Sequence, residues 1–169
     1  TDQQLVQHRL LYYPSKKNEA MGKSDKVNID EAQKVADLLN RIYTLTQKNF
    51  DPLRTVGVIV PYRNQIAMIR QEIEKTGNTA LKDVCIDTVE RYQGSQRDII
   101  IYSFTVQHRY QLDFLTSNSF YEDDKLIDRK LNVAITRARK QLIILGNKSI
   151  LSANPLFKAL IEQIPHHLR

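Results

Sequence analysis

The run LNVAITRARKQLIILGN, residues 131–147, sets three cations, Arg137, Arg139 and Lys140, where the apolar spacing changes period. Leu131, Ala134, Ile135 and Ala138 fall at i, i+3, i+4 and i+7, the buried stripe of an amphipathic helix. Leu142 to Leu145 is too short for a helix and is closed by Gly146 and Asn147, which suits a buried strand. At about 100° per residue Arg137 falls off that stripe, on a second face with Val133. A core-anchored helix therefore aims a guanidinium away from the core, a good way to place a fixed positive charge. A solvated face with scattered Arg and Lys has the same composition, so this segment alone leaves both readings open.

A second group of polar residues lies in two turns. Thr55–Val60 reads as a β-branched strand followed at once by Pro61, Tyr62, Arg63, Asn64 and Gln65. Val84–Thr88 reads as another strand, followed by a polar turn from Glu90 to Arg97. Tyr62 and Tyr92 are candidates to stack on bases, and Thr88, Asn64, Gln65 and Gln93 to meet phosphate oxygens. Gly94 permits close backbone approach. Each residue singly also fits an ordinary turn. The triplet Gly22-Lys23-Ser24 invites a phosphate-loop reading, but Lys17 stands where that loop needs its first glycine. The next helix is expected to start only near Asn28, its cap, with Glu31 closing a capping box, so no helix N-terminus faces an anion at Lys23.

The elements that must hold these residues alternate. Leu10–Tyr13, closed by Pro14, is a strand; Ala32, Val35, Ala36, Leu39, Ile42 and Tyr43 mark a long helix ending before Asn49. Ile66, Ile69 and Ile73 mark a helix ended by Gly77, and Ile99–Val106 is a further strand. Such alternation predicts an α/β fold with a mostly parallel sheet and helices on both faces, with ligands gathered at the carboxyl ends of the strands. Residues 107–130, with the acidic Glu122, Asp123 and Asp124, read as an irregular surface excursion. At 169 residues and 41% apolar content the chain suits one domain, and its formal charge of +6 favours a polyanionic partner. The lone Cys85, in VCID, reads as a buried small hydrophobe, and the four scattered histidines give no metal signal. No run of about 18 apolar residues occurs, so no membrane partner is expected and the protein is read as cytoplasmic or nuclear. The abrupt start at Thr1 suggests an excised piece.

Taken in order, VGVIVPYRNQ, DTVERYQGSQRDIIIYSFT and KLNVAITRARKQLIILGN resemble motifs IV, V and VI of superfamily 1 helicases, in the nonsense-mediated-decay and senataxin-like branch. Ser24, Asn28, Glu31 and Ala32 resemble that branch's S, N, EA signature, Phe114-Leu115 its FL element, and Pro155-Leu156-Phe157 its closing helix. The resemblance implies that residues 1–169 form the second RecA-like motor domain, a three-layer sandwich, of an ATP-dependent DNA or RNA helicase. Its partners would be single-stranded nucleic acid and a first RecA-like domain of the same polypeptide, which holds the phosphate loop and Mg²⁺. By that resemblance Arg137 is the arginine finger, Arg139 supports the interdomain face, and Gln65, Gly94 and Gln96 contact ATP. Tyr62, Asn64, Thr88 and Gln93 contact the strand. Two departures stand out: Gln96 replaces the branch's acid and Ile66 its arginine. They keep a non-catalytic RecA-like binding module as the alternative, with a small stand-alone NTPase behind it.

Overall fold

The computed structural model describes residues 5, 8–19, 24–92, 96–117, 119–122 and 125–165. In chain order these form β1 (Leu10–Pro14), α1 (Ile29–Thr46), β2 (Val56–Val60), α2 (Arg63–Lys75), β3 (Cys85–Thr88), β4 (Arg97–Ser103) and α3 (Arg109–Leu115). There follow β5 (Ser119–Glu122), β6 (Lys125–Asp128), α4 (Arg129–Arg137), β7 (Ala138–Gly146), α5 (Lys148–Leu151) and α6 (Pro155–Glu162). Strands β1, β7, β4, β2 and β3 lie side by side in that order, every pairing parallel.

Strand β2 is buried at all five positions, as a parallel strand covered on both faces must be. Its alternation divides the core. Val56, Val58 and Val60 join Leu11, Ile101, Ile143 and Leu145 beneath α1 and α2. Ile59, with Tyr12, Ile100, Tyr102, Leu142 and Ile144, faces Leu112 of α3, Leu131 and Ala134 of α4, and Phe157 and Ile161 of α6. Each such side chain contributes roughly 1.5–3 kcal/mol on burial, so the two apolar layers fix the sheet between its helices. The result is the α/β sandwich with a parallel sheet that the alternation predicts.

Four details depart from the sequence reading. Helix α4 stops at Arg137 because Ala138 already pairs with Arg97 in the β4–β7 ladder, so Ala138 belongs to the strand. The buried arc of α4 then runs through Leu131, Ala134 and the partly buried Val133, leaving Ile135 38% exposed on the other flank. Asn28 does cap α1, accepting from the Glu31 backbone N–H at 2.9 Å, but Glu31 closes no capping box because its carboxylate turns into the core. Residues 107–130 are regular rather than an excursion: α3 is followed by an antiparallel β5–β6 hairpin in which Phe120 pairs with Ile127.

Candidate nucleotide and nucleic-acid faces

Because all five strands run the same way, the sheet has a carboxyl edge and an amino edge, and the predicted site residues divide between them. Val60 pairs with Thr88 and Ser103 with Leu145, so Tyr62, Asn64, Gln65 and Thr88 gather at the carboxyl edge. Arg97 pairs with Ala138, which puts Gln96, Arg137 and Arg139 at the amino edge. A strand the length of β4 holds the edges roughly 20 Å apart. The expectation that both polar turns lie at carboxyl ends therefore fails for the second turn, which starts at one edge and finishes at the other.

At the amino edge, Arg137 ends α4, its guanidinium half-buried. Its Nε is enclosed and finds no hydrogen-bond partner among the described residues. A buried donor without an acceptor is costly, and an anionic oxygen supplied from outside would satisfy it. Gln96 lies beside Arg137, its Nε2 donating to the Thr136 carbonyl at 3.3 Å. Arg139 is engaged rather than free: its Nε lies 3.1 Å from Asp98 Oδ1, while Lys140 Nζ lies 3.2 Å from the other oxygen. The final aspartate of motif V thus braces the second arginine of motif VI. Among the described residues no group of three His, Cys, Asp or Glu could hold a metal ion.

At the carboxyl edge, Asn64 and Arg63 are exposed and Tyr62 is half-buried at the start of α2. Burial pushes the Tyr62 phenol up in pKa, opposed by a hydrogen bond with the Gln111 side chain. Gln65 is completely buried and clamps the α1 cap: Asn28 N–H donates to its Oε1 and its Nε2 donates to the Asn28 carbonyl, both at 2.9 Å. With both amide atoms bonded to Asn28 and its side chain fully buried, Gln65 ties the motif IV turn to the α1 cap. Beneath it the fully buried Glu31 accepts from Ser15 Oγ at 2.8 Å, Ser103 Oγ at 2.6 Å and Thr105 N at 2.8 Å. Thr105 has φ +62°, a left-handed conformation that a β-branched residue adopts only when held there. Burial raises the Glu31 carboxyl to about pH 7, against the pull of those three donors. The sequence reading missed this frame; its signal is the Ser and Thr closing the apolar runs YYPS and YSFT.

The segment from Thr88 to Arg97 joins the edges. Thr88, 8% exposed, accepts from the N–H groups of Arg91 and Tyr92, opening a tight turn. Tyr92 is 2% exposed and cannot stack on a base, which corrects that expectation. Its ring fills the space above Gly57 of β2, where a Cβ would sit 1.7 Å from the hydroxyl oxygen. Glu90 Oε1 lies 3.2 Å from Lys130 Nζ in the first turn of α4. Burial would raise Glu90, but its own backbone N–H, Lys130 and Thr88 outweigh that and hold it below the ordinary range. Helix α4 is therefore tied to this segment at both ends, by Glu90–Lys130 and by Gln96–Thr136. Gln93 and Gly94 lie outside the described residues.

A family model described as "AAA domain" matches residues 1–149. The chain belongs to that family. This AAA domain is 39% identical over 110 residues to "Regulator of nonsense transcripts 1" of Dictyostelium discoideum, covering 63% of this chain and 8% of that protein. It is 32% identical over 143 residues to "Helicase sen1" of Schizosaccharomyces pombe, covering 82% of this chain and 8% of the relative. It is also 32% identical over 139 residues to "Probable helicase MAGATAMA 3" of Arabidopsis thaliana, covering 81% and 16%. The AAA domain thus spans about a twelfth to a sixth of the length of these curated relatives. Its fold matches the C-terminal domain of a possible DNA helicase from Lactobacillus plantarum WCFS1, with a TM-score of 0.51, 14% identity, and coverage of 95% of this chain and 83% of that one. The curated relatives place it in the nonsense-mediated-decay and senataxin-like branch of superfamily 1 helicases, and the solved structure shares its fold.

Proposed function

We propose that this AAA domain is the second motor domain of an ATP-dependent helicase or translocase acting on single-stranded DNA or RNA. Its amino edge would serve the nucleotide and its carboxyl edge the strand. The observation that carries the reading is Arg137, whose enclosed Nε has no partner among the described residues and which ends a helix tied at both ends to the segment that also carries Thr88. On closure against a first RecA-like domain, Arg137 donates to the γ-phosphoryl oxygens and stabilises charge developing there, worth about 10³–10⁵ in rate for fingers of this kind. Gln96, in place of the acid usual at its position, can still hydrogen-bond a ribose hydroxyl. Arg139 holds the edge through Asp98. Mg²⁺, which neutralises charge on the phosphates, falls to carboxylates of the first domain.

At the other edge Thr88, Asn64 and Tyr62 meet the strand, with Gln93 and Gly94 assigned there and to the nucleotide by motif alone. Gln65 supports this turn from beneath. The rival module without catalysis rests on Gln96 and Ile66. One experiment separates the two: strand-stimulated ATP hydrolysis by the full-length protein with Arg137→Ala. A fall of orders of magnitude with ATP binding retained supports the motor, whereas an unchanged rate removes Arg137 from the chemistry.

A further inference from the structure

Two exposed rings at the carboxyl edge have no part in the core and none in motifs IV to VI. His108 and Tyr110 stack nearly parallel, with centroids 5.4 Å apart and planes 9° apart. Tyr110 is 61% exposed and the His108 side chain 46%. Exposed rings ordinarily rotate freely, but one carboxylate orders both: Tyr110 Oη donates to Asp25 Oδ2 at 2.9 Å, and His108 Nε2 lies 3.3 Å from Asp25 Oδ1. The clasp is itself anchored. Gln111, 3% exposed, donates to the Asp25 carbonyl at 2.7 Å and accepts from the backbone N–H groups of Gln107 and His108 at 2.9 and 3.1 Å. The same Gln111 side chain meets the Tyr62 hydroxyl, so the rings are coupled to the motif IV turn.

Cations outnumber acids around the rings, with Glu19, Asp25 and Asp30 on the same surface. Lys16 and Lys17 follow β1, Lys26 follows Asp25, Arg63 opens α2 and Arg109 separates the two rings in sequence, all exposed. Asn18 N–H donates to Gln107 Oε1 at 2.8 Å, which brings the lysine-bearing loop against the ring-bearing one. Aromatic rings interleaved with cations along one edge are what a single strand requires: cations follow its phosphates and rings accept its unstacked bases. Rings already fixed in place also lose little freedom on binding.

We propose that His108 and Tyr110 form a base-stacking shelf that extends the strand path beyond Tyr62, binding single-stranded nucleic acid through the faces of its bases. This rests on the nucleic-acid reading above but assigns residues and a contact type which that reading does not contain. Stacking on a base, unlike phosphate binding, distinguishes a strand with bases from one without. The test is fluorescence anisotropy with this 169-residue chain at low salt, using an oligothymidylate and an abasic strand of equal length. The wild-type chain is expected to prefer the base-bearing strand. Tyr110→Ala and His108→Ala should each weaken that strand about five- to tenfold, the low end for one stacked base, and erase most of the preference. Tyr110→Phe, which keeps the ring but loses its bond to Asp25, should recover most of the affinity and preference that Tyr110→Ala loses. All three variants should melt with the wild type, since neither ring fills core space. Tyr110→Ala binding the thymidylate as tightly as wild type overturns the shelf and leaves the strand reading standing if Arg63→Ala and added salt still weaken binding. A wild-type chain that binds neither strand overturns both.

Discussion

Arg137 and Ile135 lie two residues apart, and only Ile135 departs from the buried place its spacing predicts. Ile135 is 38% exposed, so Ile135→Ala is expected to change stability by about 0.5 kcal/mol or less. Leu131, 4% exposed against the sheet, is the residue whose truncation to Ala should cost about 2–5 kcal/mol. Arg137→Ala opens no cavity; it should leave the melting temperature and ATP affinity of the full-length protein near wild type while turnover collapses. Melting curves, nucleotide titration and turnover for these three variants separate folding from chemistry. Glu31 yields a second residue-scale prediction. Its pKa rises from 4.5 to about 7 in the fold, so the native state favours the protonated form. That contribution is complete below pH 4.5, is lost as pH rises through 7, and amounts to roughly 3 kcal/mol. Glu31→Gln keeps acceptors for Ser103 and Thr105 and supplies a donor to Ser15, so the difference in melting temperature between wild type and variant should change across that window and be flat above it. A difference that is constant with pH sinks this account of Glu31.

Strands and long helices were legible because each obeys one period: VGVIV is apolar at every position, and Asn28 caps α1 where expected. The segment from Thr88 to Arg97 obeys none, and the sequence reading placed it as one turn at one edge. What carries it across the sheet is a packing pin, Tyr92 against Gly57. A glycine inside a β-branched strand was the available sign of a close approach. Gly57→Ala should therefore overpack β2 and cost about 1–3 kcal/mol. Combined with Tyr92→Ala the loss should be less than the sum of the two single losses, readable in urea midpoints as a double-mutant cycle. Strict additivity would mean that the pin is not the constraint. The exposure of Ile135 was hidden for a related reason: only the β4–β7 register, a long-range pairing, ends α4 at Arg137. The tie between Lys130 and Glu90 has a separate, functional consequence. With Glu90 60% and Lys130 20% exposed, this half-exposed ion pair is worth about 0.2–1 kcal/mol in stability. If it transmits strand contact at Thr88 to Arg137, Lys130→Ala should lower the ratio of strand-stimulated to basal ATPase in the full-length protein, with little change in melting. A preserved ratio would leave the pair a surface contact.

Seen whole, one rigid sheet separates a cationic donor at its amino edge from a basic, aromatic carboxyl edge roughly 20 Å away. Among the described residues neither edge makes a complete nucleotide site. The triplet Gly22-Lys23-Ser24 lacks the earlier glycine, since Lys17 occupies that position. Of the three, only Ser24 lies within the described residues. Helix α1 begins at Ile29, and its cap residue is already bound, Asn28 Oδ1 by the Glu31 N–H and Asn28 N by Gln65. Among the described residues no free helix N-terminus therefore adjoins Ser24 to cradle a phosphate. Arg137 alone offers one guanidinium, which stabilises developing charge only when β- and γ-phosphates are held in line by other groups. This chain in isolation should accordingly hydrolyse ATP with Mg²⁺ no faster than buffer, and still bind single strands weakly, with an affinity that falls steeply as salt rises. Phosphate release and strand anisotropy on the same preparation test both halves. Turnover abolished by Lys23→Ala would restore the phosphate loop and remove the half-site, whereas strand binding insensitive to salt would show that the exposed cations at the carboxyl edge do not meet phosphates.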